Sequence, residues 1–334
     1  MHITAESLDD LLHQTYQYIL DNGEHIVPSR GSATEIRNGV LTLLNPRSRI
    51  SLSEVRSPVI SCIGEFLWYL SSSDSINFIE YYIKEYRKQI NFKTDTKDPV
   101  PGAYGPKIFG RPSQFEKIIE LLEKSKDSRR AVIAIYSKDD LINDDNRDIP
   151  CTCTLQFFIR QDRLHLTCYM RSNDAALGLV HDIFSFTLIQ EIMLARLTKK
   201  YPSLELGEYT HIVGSLHIYD ENRNKINHYL SNEGWHYHAS MPPITPHLLE
   251  ESIATILTIE EELRAKKNCD LNKLDLLQDQ IFKEMAILLF LHFCRTFDPH
   301  NISILKELES KSTSIPIKSF INKRIHQLCT AGNI

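Results

Sequence analysis

The residue in this sequence with the clearest potential for covalent chemistry is a cysteine that follows a proline. Cys151 comes after Pro150 and an acidic loop, and it lies where that loop enters a predicted strand. A single cysteine is more often a buried, unreactive thiol than a nucleophile. The residues around Cys151 therefore decide whether the sequence predicts a reactive thiol.

Arginines accumulate around this cysteine along the sequence. Guanidinium groups together with a hydroxyl bind a phosphate dianion, and nearby cations lower the pKa of a thiol. Each arginine alone would be interpreted as a solvated surface residue, whereas the group predicts a reactive thiol beside a phosphorylated substrate. The group comprises Arg30 in the loop PSRGSA, the doublet Arg129 and Arg130 before a strand, and Arg171 with Ser172 at the end of the hairpin that Cys151 begins.

Hydrophobic patterns predict the elements that must position these residues. Strands are predicted at 39–46, 131–136 and 209–219, with a hairpin formed by 152–160 and 163–171. Helices are predicted near the N-terminus around Leu8, Leu11, Leu12 and Ile19, at 57–70 with Glu65, at 115–126 and at 182–201. The stretches 84–101 and 139–148 are predicted loops. Together these elements predict an α+β fold with a largely antiparallel or mixed sheet.

The pattern changes near residue 240. Residues 241–334 show periodic apolar patterns in 247–265, 271–296 and 318–329, with no strand signal. We expect residues 1–240 to form a catalytic core and residues 241–334 to form a mostly helical region packed on the same domain.

Composition limits the classes of function. The 334 residues are 42% hydrophobic with a formal net charge of −5, which lacks the basic excess of a nucleic-acid-binding surface. The apolar run 286–294 is shorter than the roughly 20 residues that span a bilayer. Seven cysteines without framework spacing fit a reducing compartment, and the CTC at 151–153 has no second pair at the spacing of a zinc site. We expect a cytoplasmic protein with no metal, no membrane segment and no polymeric nucleic-acid partner.

Ordered motifs in this chain resemble those of the thymidylate synthase family. PCTCTLQFFI, CYMRSNDAALGLVHDI and GSLHIY are similar to the family's Pro-Cys nucleophile, its Arg-Ser-x-Asp-x-x-Leu-Gly segment and its His-x-Tyr. GEFLWYL (64–70) and DSRRAVIAIY (127–136) resemble its glutamate-bearing helix and its arginine doublet. The resemblance covers roughly residues 28–225 and implies a homodimeric fold built on a large, twisted, mixed sheet.

The resemblance implies a reaction that begins at the thiol. Cys151 would add as a thiolate to C6 of a pyrimidine, and the resulting nucleophilic C5 would attack the one-carbon unit of 5,10-methylenetetrahydrofolate. Glu65 would transfer protons and order water in the cleft. The family pattern therefore adds a folate cofactor to the phosphorylated substrate that the arginines predict.

Phosphate contacts are implied for five residues. Arg30, Arg171 and Ser172 would bind the 5′-phosphate of the substrate. The doublet Arg129 and Arg130 would reach the same phosphate from the second subunit of a homodimer.

Further binding roles follow from the same resemblance. His217 and Tyr219 would contact the sugar, although without the resemblance this strand-end pair would be interpreted as a cap of the sheet. Gln156 would organise the base site and Asp174 would contact the pterin ring. Arg56 would lie near the folate tail, where the family places a lysine one residue earlier.

The sequence departs from the family at the position that contacts the base. Val180, His181 and Asp182 stand where a thymidylate synthase carries Pro-Phe-Asn. A carboxyl group accepts from the exocyclic amine of cytosine and can share one proton with N3, whereas uracil leaves an acceptor facing O4. Such a mismatch costs on the order of 1–3 kcal/mol. The departure predicts a cytosine nucleotide monophosphate and resembles the hydroxymethylase branch of the family.

Other departures point to capture of the intermediate by water. Thr152 replaces the family's histidine, and Tyr81, Tyr82 and Tyr86 occupy the segment where thymidylate synthases place tryptophans. The C-terminus CTAGNI lacks the family's apolar closing tail. A less tightly closed site would let water, in place of a folate hydride, react with the methylene group at C5 and give a hydroxymethyl group.

These features predict a cytidylate 5-hydroxymethylase acting on CMP or dCMP. The helical region 241–334 resembles hydroxymethylases of nucleoside-antibiotic pathways and favours the ribonucleotide. One alternative is a thymidylate synthase that methylates dUMP, and a second is a catalytically silent family member that binds a nucleotide or messenger RNA. A DNA cytosine methyltransferase would also use a Pro-Cys thiolate, but the sequence shows neither a glycine-rich cofactor loop nor a basic groove.

Overall fold

The computed structural model of this chain describes residues 1–53, 59–84, 86–89, 99–142, 148–233, 240–265 and 270–331. These residues fall into two units, unit 1 (1–240) and unit 2 (241–334). Whether unit 2 packs on the catalytic core as one domain stays a prediction. The site residues all belong to unit 1.

Unit 1 is built on a mixed sheet. In the described part of the chain its strands are β1 (His2–Ala5), β2 (Glu24–Ile26), β3 (Ala33–Leu43), β4 (Val132–Ala134), β5 (Thr152–Arg160), β6 (Arg163–Asp174) and β7 (Glu205–Tyr219). Their order is β1–β3–β7–β6–β5–β4, with β2 paired to β3 beside this path. The pairs β1–β3 and β6–β7 are parallel and the other pairs are antiparallel. The predicted α+β fold with a large mixed sheet is confirmed.

The hairpin of β5 and β6 has the predicted boundaries at its turn. Gln161 and Asp162 form the two-residue connection with φ angles of 51° and 55°. Two positive φ angles are typical of the type I′ turn, whose twist matches that of the strands it joins. Along both strands buried side chains alternate with half-buried or exposed ones, so one face of the hairpin lies in the core.

Helices cover the buried face of this sheet. Those of unit 1 are α1 (Leu8–Asn22), α2 (Val59–Leu70), α3 (Ile76–Tyr82), α4 (Tyr86–Gln89), α5 (Tyr104–Phe109), α6 (Gln114–Lys124), α7 (Lys138–Ile142), α8 (Gly178–Leu197) and α9 (Arg223–Asn232). The long helix α8 packs against α2, β6 and β7. By length and composition α8 could cross a membrane, but 89% of its most apolar window is buried, as in the core helix of a folded unit.

The structure corrects several predicted boundaries. The strand predicted at 39–46 begins at Ala33, and β1 and β2 were not predicted, because both are short and depend on pairing with distant β3. Single turns α4 and α7 lie in the two predicted loops, whose residues 90–98 and 143–147 lie outside the described ranges. The helix predicted at 182–201 begins four residues earlier, at Gly178.

Unit 2 is helical in its described residues. Its helices are α10 (Leu249–Arg264), α11 (Gln280–Phe297), α12 (Ile302–Lys311) and α13 (Ile315–Ala331). The sequence predicted one helix from 271, but α11 begins at Gln280 because the Asp279 carboxylate caps it by accepting from the amide of Ile281 at 3.1 Å. The buried carboxylate of Glu284 accepts from the hydroxyl of Ser312 at 2.6 Å and from the amide of Thr313 at 2.7 Å, which fixes the connection between α12 and α13.

Candidate active site

Arg171 fixes the backbone around Cys151. Its Nε donates to the carbonyl of Pro150 at 3.0 Å and its Nη2 to the carbonyl of Ile149 at 2.8 Å. Its main-chain amide donates to the carbonyl of Cys151 at 2.9 Å. Three hydrogen bonds from one residue at the end of β6 therefore hold the loop that presents the thiol at the start of β5.

The thiol of Cys151 is half-buried and lies near both cationic and anionic side chains. Burial raises its pKa, and the guanidinium groups of Arg171 and Arg30 oppose that rise. The carboxyl groups of Asp182 and Asp148 raise it further. In the ligand-free protein the thiol is therefore mainly protonated at neutral pH, and formation of the nucleophilic thiolate requires loss of that proton.

Asp182 lies in the first two turns of α8 and is 8% exposed. Its Oδ2 accepts a hydrogen bond from Nδ2 of Asn173 at 2.6 Å. Burial, followed by the nearby charge of Glu65, raises the pKa of Asp182 well above its ordinary value, while the hydrogen bond from Asn173 opposes that rise. When such a carboxyl group carries its proton, it can act as both a donor and an acceptor.

Glu65 projects from α2 into the same group of residues and is 9% exposed. Tyr69, one helical turn later, donates its hydroxyl to Oε1 of Glu65 at 2.7 Å. Its charge raises the pKa of both Asp182 and Tyr86, so Glu65 lies near both side chains. A carboxylate held by a rigid helix at this point can transfer a proton directly or through water.

Tyrosines form much of the wall around these polar groups. The rings of Tyr69 and Tyr104 have centroids 5.2 Å apart, and Trp68 meets Tyr86 edge-on at 5.7 Å. The hydroxyl of Tyr104 accepts from the amide of Thr152 at 3.2 Å, directly beside Cys151. Burial raises the pKa of these tyrosines well above the ordinary value, so they are neutral hydrogen-bonding groups.

Of the three tyrosines in the segment expected to lie near the folate, Tyr86 faces the site. The charges of Glu65, Asp148 and Cys151 all act on its pKa. Tyr82 instead packs against α2, where a Cβ on Gly64 would lie only 2.1 Å from its ring. The segment therefore contributes the ring of Tyr86 to the wall, and Tyr81 meets Tyr82 edge-on with centroids 4.8 Å apart.

Of the residues proposed for the sugar and phosphate, Ser172, His217 and Tyr219 lie toward the ends of β6 and β7. The parallel register pairs Ser172 with Ser215 and Asp174 with His217. The rings of His217 and Tyr219 are nearly perpendicular, with centroids 4.8 Å apart. Burial raises the pKa of Tyr219, and the charge of Arg30 opposes this, which places Arg30 at the same end of the sheet as Cys151.

Three of the predicted site residues lie elsewhere on this protomer. Gln156 lies on the more exposed face of the sheet and donates to the carbonyl of Arg129 at 3.0 Å. Because Val132 pairs with Gln156, Arg129 and Arg130 lie roughly 20 Å from Cys151 at the rise of a strand. The base role of Gln156 and the phosphate role of the two arginines stay predictions. Arg56 lies outside the described residues.

The structure adds site residues that the sequence did not predict. Asn173, Tyr69, Tyr104 and Asp148 surround Cys151, Glu65 and Asp182. Asn173 lies inside the motif RSND and Tyr104 inside PGAYG, but neither residue type is chemically distinctive without a known neighbour. Asp148 accepts from the amide of Gly102 at 2.9 Å, which ties the loop before Cys151 to the loop before α5.

The polar side chains of this site are suited to anion binding and proton transfer. Among the described residues no group of three or more histidines, cysteines and acids could hold a metal ion. A thiol, two buried carboxyl groups and cationic side chains can instead bind a phosphate, read a base edge and move protons. Asp174 is half-buried near Tyr219 and accepts from the amide of Ala176 at 2.8 Å, and the pterin role proposed for it stays a prediction.

Comparison with known proteins agrees with this chemistry. The chain is 26% identical over 224 residues to a deoxyuridylate hydroxymethyltransferase of Delftia phage PhiW-14, covering 63% of this chain and 60% of that protein. It is 28% identical over 216 residues to a deoxyuridylate hydroxymethyltransferase of Bacillus phage SP01, covering 60% of this chain and 54% of that protein. The matches thus span less than two thirds of either relative. Residues 12–246 match the family described as thymidylate synthase, and the chain belongs to the thymidylate synthase family.

Proposed function

We propose that this protein transfers a hydroxymethyl group to C5 of a cytosine nucleotide monophosphate, CMP or dCMP, using 5,10-methylenetetrahydrofolate and water. The observation that carries the proposal is the buried carboxyl of Asp182, which stands where the family pattern has an asparagine. Cys151 and Glu65 lie in the same group of residues. The products are the 5-hydroxymethyl nucleotide and tetrahydrofolate.

Base recognition follows from the protonation of Asp182. Cytosine presents an acceptor at N3 and a donor at its exocyclic amine. A neutral carboxyl group offers one donor and one acceptor, so it can satisfy both positions at once. Burial and the charge of Glu65 raise the pKa of Asp182, which favours this neutral form.

The thiol begins the chemistry. Cys151 loses its proton, and the thiolate adds to C6, which makes C5 nucleophilic. Bound 5,10-methylenetetrahydrofolate would supply a one-carbon unit held by two nitrogens. C5 would bond to that carbon as the first carbon–nitrogen bond breaks, and the second carbon–nitrogen bond would break when C5 loses its proton, which releases tetrahydrofolate. Glu65 then accepts the proton of C5, directly or through water, and the thiolate remains attached to C6. The base now carries a methylene group at C5.

Water completes the reaction. Its oxygen bonds to the methylene carbon while the C6–S bond breaks and the double bond between C5 and C6 returns. One proton of the water passes to the sulfur that leaves C6, which restores the thiol of Cys151. Tyrosine hydroxyls, in place of apolar tryptophan rings, give the wall groups that can hydrogen-bond this water.

The phosphate role proposed for Arg129 and Arg130 requires a homodimer. Both arginines are exposed and too far from Cys151 to reach its substrate within one protomer. The face of the sheet that carries them also exposes Val132 (37%) and Tyr169 (43%). Apolar groups on an open sheet face are typical of a surface that another protein covers, and a second copy would bring the arginines to the opposite site.

Deoxyuridylate is the second candidate substrate. Both relatives are named as deoxyuridylate hydroxymethyltransferases. A neutral carboxyl group could also donate to O4 of uracil and accept from its N3–H, because its two oxygens can exchange donor and acceptor roles. The reaction at C5 would be the same for either base.

The test is release of tritium from C5. Purified protein is incubated with 5,10-methylenetetrahydrofolate and C5-tritiated CMP, dCMP or dUMP, and the mass of each product is measured. We expect tritium release from a cytidylate with a product heavier by one CH₂O. Cys151→Ser is the control, because it removes the nucleophile and should abolish release.

Each of the other outcomes would indicate a different activity for this protein. Release from dUMP alone with a gain of CH₂O would assign the second candidate. Release from dUMP alone with a gain of CH₂ and formation of dihydrofolate would identify a thymidylate synthase. No release from any nucleotide would favour a catalytically silent binding protein.

A further inference from the structure

Asn173 contacts the carboxyl group that is proposed to read the base. It lies in β6 between Ser172 and Asp174 and is 4% exposed. Its Nδ2 donates to Oδ2 of Asp182 at 2.6 Å and also lies 3.1 Å from the sulfur of Met170. A Cβ on Gly178 would lie 3.6 Å from both Asn173 Nδ2 and Asp182 Oδ2, so the pair is closely packed where α8 begins.

A neutral carboxyl group by itself does not choose between the two pyrimidines. Its proton can sit on either oxygen, so the group can present a donor then an acceptor, or the reverse order. One order matches N3 and the exocyclic amine of cytosine, and the other matches N3–H and O4 of uracil. Selectivity therefore needs a second residue that decides which of the two oxygens carries the proton.

The amide of Asn173 decides which oxygen of Asp182 carries the proton. A side-chain N–H can only donate, so Oδ2 of Asp182 must be an acceptor. The proton of the neutral acid then lies on Oδ1. In the described ranges no hydrogen bond reaches Oδ1, so Oδ1 can donate to the base while Oδ2, which has a second lone pair, can also accept from it.

We propose that Asn173 is a specificity-determining positioning residue that holds Oδ2 of Asp182 as an acceptor and so fixes the order of donor and acceptor offered to the base. The inference rests on the proposed function only in taking Asp182 as the group that reads the base. Asn173 itself is buried and acts through Asp182, so it is not a catalytic residue. Its loss should weaken discrimination between the bases more than it weakens binding of the nucleotide.

The test measures binding without folate, so that it does not depend on turnover. Dissociation constants for CMP, dCMP, UMP and dUMP are measured by titration calorimetry with wild type, Asn173→Ala and Asn173→Asp. Asn173→Asp keeps the shape of the side chain but removes the obligatory donor. We expect the ratio of dissociation constants between the two bases to fall about tenfold in both variants, toward a ratio of one.

Thr187→Val is the matched control. Thr187 is fully buried in α8, and its hydroxyl donates to the carbonyl of Ile183 at 2.6 Å, within the same helix that carries Asp182. The variant loses a buried hydrogen bond without touching the carboxyl group, so its base ratio should equal that of wild type. Thermal unfolding of every variant confirms that the protein being titrated is folded.

The pH dependence gives a second readout. The hydrogen bond from Asn173 opposes the rise in the pKa of Asp182. Binding that requires the neutral acid is present below this pKa and is lost as the pH rises through it. Since Asn173→Ala removes the opposing contact, the loss of nucleotide binding should move to higher pH, whereas Thr187→Val should leave it in place.

Failure of this inference is separable from failure of the proposed function. A wild-type preference for uracil would refute the cytosine assignment, and a collapse of that preference in Asn173→Ala would still support the role of Asn173. An unchanged base ratio in Asn173→Ala and Asn173→Asp, with all four nucleotides bound more weakly, would show a purely structural role. Equal binding of both bases by wild type would also overturn the inference.

Discussion

Two side chains are central to the chemistry proposed for this site, and the charges around them shift their pKa values in different ways. Burial raises the pKa of both Cys151 and Asp182. For Cys151 the arginines Arg171 and Arg30 oppose the rise, so cationic side chains are already in place to stabilise a thiolate. For Asp182 the neighbouring Glu65 reinforces the rise, which favours the neutral acid. Two ordinary side chains thus receive the environments that the proposed roles of nucleophile and base-reading acid need.

Asp182→Asn should shift the preference of the enzyme from cytosine toward uracil nucleotides. An asparagine amide accepts from N3–H and donates to O4, whereas cytosine presents the reverse. We expect the ratio of kcat/KM values for tritium release, cytosine over uracil, to fall by roughly tenfold to a hundredfold. The pH dependence of this ratio should also disappear, because asparagine does not titrate.

Asp148→Asn is the control for this substitution. Asp148 is another largely buried acid beside Cys151, and burial raises its pKa too, but it bonds to the amide of Gly102 and not to the start of α8. Its replacement should leave the base ratio unchanged. The same ratio in wild type and Asp182→Asn would refute the role of Asp182 in base recognition.

At the scale of elements, α8 connects the reactive part of unit 1 to its core. Its first turns carry His181, whose Nδ1 donates to the carbonyl of Leu177 at 2.9 Å and whose Nε2 lies 2.8 Å from the hydroxyl of Ser61 on α2. Glu65 follows Ser61 by one turn of α2, so this contact holds the two helices that carry Glu65 and Asp182. Further along α8, Glu191 binds Arg49 through Nη2 at 2.5 Å and Arg47 through Nε at 2.7 Å.

Glu191→Gln should strongly destabilise the fold. Arg49 is fully buried, and removing the charge of Glu191 leaves its guanidinium in the core without a carboxylate partner. Loss of one member of a buried ion pair costs about 3–5 kcal/mol in the free energy of unfolding. Urea denaturation measures this loss.

The pH dependence of that loss has a definite sign. Burial alone would raise the pKa of Glu191, but Arg49 and Arg47 outweigh it and hold the pKa below the ordinary value. The stabilisation is therefore present above the unfolded pKa of about 4.3 and is lost as the pH falls through the folded pKa. The difference in stability between wild type and Glu191→Gln should shrink below about pH 4.

Glu116→Gln is the matched control on the surface. Glu116 pairs with Arg196 of α8 at 2.8 Å, and its side chain is 50% exposed. Exposed pairs contribute at most about 1 kcal/mol, so this variant should unfold nearly as wild type does. Equal effects of the two substitutions would contradict a stabilising role for the buried pair.

At the scale of the whole molecule, the proposed phosphate site needs two copies of the chain. Cys151→Ser and Arg130→Ala homodimers should each be inactive, the first for lack of a nucleophile and the second for lack of an interfacial arginine. Mixing the two variants under conditions that exchange subunits should restore activity. Random pairing gives roughly a quarter of the wild-type number of complete sites, since only half of the dimers are mixed and each of these has one complete site.

Complementation and its failure have distinct meanings. Activity near a quarter of wild type would place Arg130 across a dimer interface from Cys151. Full activity of Arg130→Ala alone would remove this arginine from the phosphate site. Sedimentation of the mixture checks that mixed dimers have formed.

The sequence by itself determined the family resemblance, the Pro-Cys thiol, the arginines and the Asp182 departure, because local motifs and hydrophobic periodicity are written along the chain. The hairpin of β5 and β6 and the core helix α8 were predictable for the same reason. The short strands β1 and β2 were not, since each forms only by pairing with residues far away in the sequence.

Only the tertiary structure decided which polar groups meet and which protonation states they hold. Asn173 reaches Asp182 because β6 ends where α8 begins, and Tyr104 reaches the amide of Thr152 across 48 residues of sequence. The raised pKa of Asp182 depends on burial and on Glu65 from another helix. Burial and long-range electrostatics are properties of packed elements, so the residue types alone predicted an acid at position 182 but neither its raised pKa nor its contact with an asparagine.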